Sequence, residues 1–258
     1  MTKLEEIVRR LRDPETGCPW DLEQDHGTMA PHFVEEVYEV LDAIDDDDGA
    51  ALREELGDVL FQVVFHAQLA SERGRFCLAD VEDGIAAKMV ARHPHVFGGD
   101  TAAGDAAWVL ERWEARKRRA RAEAGGSVLD GVPRQLPALQ RAQRLTSKAS
   151  VVGFDWPDVP SVLAKVDEEL AEVREALEHK DAAAVADEVG DLLFAVVNLA
   201  RKVGVDAEQA LRGTNRKFCD RFTHVEAALA ARGSSPDEAS LDEMDALWNE
   251  AKHLERAS

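Results

Sequence analysis

Carboxylates recur along this chain at a spacing suited to one kind of chemistry. Glu35-Glu36-x-x-Glu39 is followed by Glu55-x-x-Asp58, and Glu168-Glu169-x-x-Glu172 is followed by Glu188-x-x-Asp191. Each member of the second set lies 133 residues after its counterpart (168 − 35, 191 − 58). On that offset residues 33–69 align with 166–202 without a gap, and 16 of the 37 positions are identical. Agreement of that length marks an internal duplication. Oxygen ligands gathered in this number suit a hard divalent cation, because crowded carboxylates otherwise raise one another's pKa. Magnesium is the expected ion, with manganese as a possible substitute. A lone Glu-x-x-Glu on an acidic helix is an ordinary solvated face, but two copies that keep every carboxylate and its spacing are not explained that way. A di-iron bundle would place Glu-x-x-His on its metal-bearing helices, whereas Glu172 and Asp191 hold those third positions here.

The elements that must carry these side chains are helices. Alanine, leucine, glutamate and arginine dominate the composition, and strand-like alternation never extends beyond a few residues. The expected fold is all-α, with two tandem helical domains built on antiparallel helix pairs. Helices are expected at about 3–12, 30–46, 50–73, 79–92 and 105–123, then at about 138–148, 159–179, 182–203, 206–232 and 239–256. The Gly- and Pro-rich stretch 124–137 is the linker candidate, which divides the chain into domains at 1–123 and 138–258. Each half opens its core pair with a Gly-x-x-Trp element, Gly17 to Trp20 and Gly153 to Trp156.

In the second copy Val162, Val166, Leu170, Val173 and Leu177 form the buried stripe expected of one helix, and Val185, Val189, Leu193 and Val196 that of the next. At about 100° per residue, Glu169 and Glu172 fall roughly 60° and 120° to one side of Val166, with Lys165 on the same side. Glu168 projects away, so the second of the paired glutamates is the inward one. Glu188, Asp191 and Asn198 share the flank of the other stripe. Two helices packed on these stripes bring four carboxylates together at their seam.

A net charge of −20 argues against a nucleic-acid backbone or an anionic membrane surface as the main partner. No run of eighteen apolar residues is present, and the N-terminal MTKLEEIVRRLRD is charged and amphipathic, unlike a signal peptide. Cys18, Cys77 and Cys219 are odd in number and widely spaced, as expected of reduced thiols in a cytoplasmic protein. Asp45–Asp48 lacks the ligand alternation of a calcium loop and is expected to be a helix-helix turn. Arg116–Arg121, balanced by Glu111, Glu114 and Glu123, is expected to be an exposed helix face, and His93-Pro94-His95 a structural corner.

With these motifs in place, the sequence resembles the MazG nucleoside triphosphate pyrophosphohydrolases, whose signature is EExxE, a spacer, then ExxD. The resemblance extends over nearly the whole chain. It includes Arg10-Leu-Arg-Asp-Pro with Gly17-Cys-Pro-Trp-Asp21, Glu54-Glu-Leu-Gly-Asp-Val-Leu-Phe-Gln-Val-Val-Phe65, Arg92-His-Pro-His-Val-Phe97 and Gly190-Asp-Leu-Leu-Phe-Ala-Val-Val-Asn-Leu-Ala-Arg201. It implies hydrolysis of NTPs and dNTPs between the α and β phosphates, dependence on Mg2+, a homodimer with interlocked helices, and a role in clearing unwanted nucleotides. Carried over, the metal ligands are Glu169, Glu172, Glu188 and Asp191 in the second copy and Glu36, Glu39, Glu55 and Asp58 in the first.

The family's Lys-x-x-x-Arg element corresponds to Lys217 and Arg221, with Lys88 and Arg92 as the first-copy equivalents, and Lys165, Trp248 and Lys252 match positions the family uses around the nucleotide. Some members carry a basic residue shortly before ExxD, where this chain has Ala184. On the resemblance, Lys217 and Arg221 are expected to clamp phosphate oxygens, whereas the residues alone favour an ordinary charged helix face. Trp248 either stacks on the base or anchors the last helix. Glu172 or Glu188 is expected to orient the attacking water as general base. On the 133-residue offset Lys165 matches His32 and Asn198 matches Phe65, so the second copy is expected to carry most of the activity. The other functional class compatible with these features is a nucleotide-sensing or partner-binding helical module with a vestigial site.

Overall fold

The computed structural model describes residues 2–98 and 125–257. Every regular element among them is a helix, in agreement with the all-α expectation. The chain divides into two compact units, Met1–Trp113 and Glu114–Ser258. The helix expected at 105–123 and the basic run Arg116–Arg121 within it lie outside the described residues.

The first unit contains α1 (Lys3–Leu11), α2 (Pro19–Glu23), α3 (His26–Asp45), α4 (Gly49–Glu72), α5 (Leu78–Arg92) and α6 (Pro94–Phe97). Helices α2 and α6 are additions to the sequence-based expectation. Each starts on a proline, which fixes φ for a first helical turn as readily as for the turn expected there. Helix α3 starts four residues before the expected position. Asp25 caps it by accepting from the Gly27 and Thr28 N–H groups at 2.7 and 2.9 Å, and Pro31 is carried inside the helix. Helices α3 and α4 pack as a hairpin, and α1 lies against α4. The core they share contains Val8, Met29, Phe65 and Leu69. The corner reading of His93-Pro94-His95 agrees with the His93 Nδ1 contact to the Met89 carbonyl at 2.7 Å.

The second unit contains α7 (Ala138–Ser150), α8 (Val159–His179), α9 (Ala182–Lys202), α10 (Ala207–Ala231) and α11 (Leu241–Ala257). Helices α8 and α9 form its central hairpin, α7 packs on α9 and α10, and α10 pairs with α11 around Val225, Leu229 and Leu247. The duplication is visible in the backbone at the same 133-residue offset. The helices begin at His26 and Val159 and at Gly49 and Ala182, with caps Asp25 and Asp158, Asp48 and Asp181. The residue before each second cap adopts a left-handed conformation, with φ of 54° at Asp47 and 57° at Lys180. The acidic run Asp45–Asp48 is thus a helix-helix turn whose last member caps α4.

One expectation about packing is corrected. Val162 is buried on α8, but Val189, Leu193 and Val196 on α9 are 40%, 53% and 45% exposed. The buried positions of α9 are instead Ala195, Val197 and Asn198. Periodicity identifies an apolar face, but covering that face requires a further layer, and none of the described residues covers α9 over this stretch.

Candidate active site

In the second unit Glu169, Glu172 and Glu188 place one carboxylate oxygen each within 4.8 Å of the others. Glu169 and Glu172 are three residues apart on α8, so they project one turn apart on the same side, and Glu188 faces them from the first turns of α9. Glu169 is the buried member at 5% exposure, whereas the Glu168 side chain is 59% exposed. Lys165, one turn earlier, places Nζ 2.8 Å from Glu169 and 2.7 Å from Glu168. That contact pulls the Glu169 carboxyl below the usual range and raises the lysine, which stays cationic. The Glu172 carboxyl is pushed up, first by its hydrogen bond with Glu169, then by burial and the charges of Glu169 and Glu188. Asp191 is exposed and stands outside this close group, one turn further along α9.

The first unit repeats the arrangement with Glu36, Glu39 and Glu55. Glu36 is raised by burial and then by Asp58, and Glu55 by burial and then by Glu39. Glu35 points outward beside His32, 3.7 Å away. Both donor sets consist only of carboxylates, with no thiolate or imidazole, which fits a hard cation and not zinc or copper. Mutual repulsion and burial push the Glu172, Glu36 and Glu55 carboxyls up, a charge imbalance that a divalent ion would relieve, so the residues present fit one.

Beside the second group opens a cavity of about 640 Å³. Its walls include the charged Lys165, Glu169, Asp191 and Arg201, the rings of Phe154, Trp156 and Phe194, and the amide of Asn198. Such a mixture of ring walls and a few converging polar groups is typical of a small-molecule site. Asp155 holds the loop that carries Phe154 and Trp156. Its carboxylate accepts from both Arg201 Nη atoms and from Lys202 Nζ at 3.1 Å, and the arginine keeps it below the ordinary carboxylate range. Lys202 Nζ also donates to the Trp156 carbonyl at 2.5 Å. Arg201 Nε and Nη2 donate to Asn198 Oδ1 at 2.9 and 2.8 Å.

The first unit differs at the position of Asn198. Phe65, at Asn198's position on the offset, is fully buried, and the Arg12 guanidinium lies 5.3 Å from its ring centroid. Arg12 also pairs with Glu72 through Nε and Nη2 at 2.8 and 2.7 Å and donates to the Asp21 and Gln24 carbonyls. In both units, therefore, an arginine ties the segment around the Gly-x-x-Trp element to the second helix of the pair. In one it covers a phenylalanine, and in the other it grips an amide.

The remaining residues singled out in the sequence form a separate set. Arg221 on α10 makes a two-pronged pair with Glu255 on α11, at 2.8 and 2.6 Å, and lies 5.5 Å from the Trp248 ring centroid. Trp248 packs on Phe218 and on the Val225–Leu229–Leu247 core. Lys217 is exposed and Lys252 half-buried, and none of these four residues lines the cavity. Sequence reasoning missed Leu129, Leu145, Phe154 and Arg201. Leu129 belongs to the linker candidate, yet Lys148 Nζ holds that stretch by the carbonyls of Val128 and Asp130, at 3.5 and 2.5 Å. The usable signals were the aromatic residue within the Gly-x-x-Trp element and an arginine one turn from Asn198.

Comparison with known proteins places this geometry in a family. Residues 24–97 and again 158–226 match the MazG nucleotide pyrophosphohydrolase domain. The nucleoside triphosphate pyrophosphohydrolase of Escherichia coli (strain K12) is 50% identical over 254 residues, covering 96% of this chain and 95% of that protein. The Thermotoga maritima nucleoside triphosphate pyrophosphohydrolase/pyrophosphatase MazG is 42% identical over 250 residues, covering 97% and 94%. The nucleoside triphosphate pyrophosphohydrolase of Mycolicibacterium smegmatis is 31% identical over 260 residues, covering 95% of this chain and 69% of that protein.

Proposed function

The chain belongs to the MazG nucleotide pyrophosphohydrolase family, and on that premise we propose that it hydrolyses nucleoside triphosphates to the monophosphate and pyrophosphate at the α8–α9 site of its second unit. The observation that carries this assignment is the open cavity beside Glu169, Glu172 and Glu188, lined by Asn198 where the first unit has the buried Phe65. Glu169, Glu172, Glu188 and Asp191 are the residues that would hold the cation, and their oxygen-only chemistry favours Mg2+, with Mn2+ able to substitute. When bound, it supplies positive charge to the phosphate oxygens and lowers the pKa of a coordinated water.

The protein's own groups divide the remaining work. Lys165 stays charged and lines the cavity next to the carboxylates, where it can meet a phosphate oxygen. Glu172 or Glu188 orients the attacking water and accepts its proton. Phe154, Trp156 and Phe194 offer ring surface to the nucleoside and keep water from it. The first unit's Glu36, Glu39, Glu55 and Asp58 retain the means to bind a cation beside a buried Phe65 in place of the cavity-lining Asn198, which suits a structural or slow site.

The uncovered face of α9 supports a homodimer, because Val189, Leu193 and Val196 form an apolar row that a second protomer would bury. In such a dimer the second set, Lys217, Arg221, Trp248 and Lys252, would approach a triphosphate from the partner. No helix among the described residues is long and apolar enough to cross a membrane. Cys18, Cys77 and Cys219 are all free thiols, as suits a cytoplasmic protein. The test is product identification from a panel of NTPs and dNTPs, with and without Mg2+. Pyrophosphate with the monophosphate, formed only with the cation, is the expected result. Orthophosphate would overturn the reaction class, and tight nucleotide binding without turnover would indicate a sensing module instead.

A further inference from the structure

Asn198 is 8% exposed, and its carboxamide oxygen is committed to Arg201, whose Nε and Nη2 both donate to it, at 2.9 and 2.8 Å. A guanidinium has only donors, so the amide atom facing it must be the oxygen and cannot be the nitrogen. The two ends of the amide are thus fixed by chemistry. Arg201 is itself held from turning by Asp155, which accepts from both of its Nη atoms. The amide nitrogen has no hydrogen-bond partner among the described residues, and Asn198 lines the cavity. That nitrogen is not among the fully buried unpartnered atoms, so it is open to the cavity, where a ligand or water can meet it.

The position of this donor limits what it can meet. Asp191 and Asn198 both line the cavity, and Asn198 follows seven residues later on α9, roughly 10 Å along the helix axis. On the reading of the cavity as the nucleoside site, a nucleotide with its phosphates at the carboxylates would bring its base among Phe154, Trp156, Phe194 and Asn198, which share the lining. The part of a base farthest from its glycosidic bond is position 6 of a purine or position 4 of a pyrimidine. A keto oxygen there accepts a hydrogen bond, whereas an amino group donates one. Recognition of an amino group by asparagine needs a free carboxamide oxygen, and Arg201 has taken it.

We propose that Arg201 is a positioning residue that locks the Asn198 amide with its N–H groups facing the cavity. The locked amide selects nucleotides with a keto group at purine position 6 or pyrimidine position 4 over their amino counterparts. This inference rests on the reading of the cavity as the nucleoside site. It assigns the cavity a substrate class, which the carboxylate cluster alone does not.

The experiment measures kcat and KM with Mg2+ for two pairs that differ chiefly at that group, ITP against ATP and UTP against CTP. In the unaltered protein kcat/KM for the keto member is expected to exceed that of the amino member by about tenfold, mainly through KM, the scale of one hydrogen bond gained in place of a donor-donor clash. Asn198→Asp preserves shape and the Arg201 contact but turns the cavity-facing donor into an acceptor, so the preference should reverse. Arg201→Leu releases the amide to turn either way, so the ratio should fall to about one, while Arg201→Lys, which keeps a donor to Oδ1, should retain part of it. Each ratio is taken within one protein, so a partly folded variant still gives a valid value. Equal kcat/KM for the keto and amino members in the unaltered protein, or a preference that survives Asn198→Asp, would overturn the proposal. If no nucleotide is hydrolysed, the reading of the reaction fails, and calorimetric affinities for the same pairs decide the amide's role separately.

Discussion

Replacing Phe65 with asparagine would copy the second unit's residue into the first, and the structure sets the cost. Phe65 is fully buried in a core with Val8, Met29 and Leu69, touches Phe61 at 5.7 Å between ring centroids, and lies under the Arg12 guanidinium. Loss of a core phenylalanine costs about 3–5 kcal/mol, and loss of a partly desolvated cation-π contact about 1 kcal/mol more. The sum, about 4–6 kcal/mol, is a large share of the roughly 5–15 kcal/mol that holds a domain folded. The reciprocal change, Asn198→Phe, forfeits hydrogen bonds from a charged donor, worth about 1.5–3 kcal/mol. It places the ring in an open cavity while Arg201 keeps Asp155. Urea unfolding of the full chain, followed by circular dichroism, should therefore show the larger loss for Phe65→Asn, with no activity gained in the first unit. Asn198→Phe should remain folded and lose nucleotide turnover. A cost below about 1 kcal/mol for Phe65→Asn would refute the view that this position is packing in one copy and binding in the other.

Three further outcomes are expected. Glu36, Glu55 and Glu172 have folded pKa values above the ordinary carboxylate range, so the folded chain holds more protons than the unfolded one between those ranges. Stability from these groups then falls as pH rises through the ordinary and then the raised values, and added Mg2+ should lift the Tm more at pH 8 than at pH 5; an equal or smaller lift at pH 8 would contradict that sign. Asp155→Asn weakens the grip of Arg201 and Lys202 on the loop bearing Phe154 and Trp156, and should raise KM for nucleotides about threefold to tenfold with a smaller change in kcat. Leu193→Asp charges the exposed stripe of α9, and sedimentation should register a shift from dimer to monomer.

The parts of this molecule that were legible in the sequence are those governed by local rules or by the repeat. Helix identity followed from composition and periodicity, and the inward turn of Glu169 relative to Glu168 from a rotation of 100° per residue. The contrast between Asn198 and Phe65 followed from aligning the two copies. What escaped was set by packing between distant segments. Periodicity marked Val189, Leu193 and Val196 as an apolar face without saying what lies over it. The early start of α3 was missed because Pro31 lies inside the helix and Asp25 supplies the cap five residues before the expected position. Leu129 looked like linker because its role depends on Lys148, 19 residues on (148 − 129). Arg201 carried no role in the sequence beyond closing a resembling motif, since nothing local announces that Asp155 and Asn198 converge on it.

The central claim is that hydrolysis runs at the carboxylates of the second unit and not at their copies in the first. Its most direct test is pyrophosphate release, with saturating Mg2+, by Glu172→Ala and Glu39→Ala, each made alone in the full chain. Glu172→Ala is expected to lose at least about a hundredfold in kcat, the scale of removing a general base or an essential ligand, while Glu39→Ala keeps most of the activity. A Glu39→Ala protein as inactive as Glu172→Ala would contradict that claim.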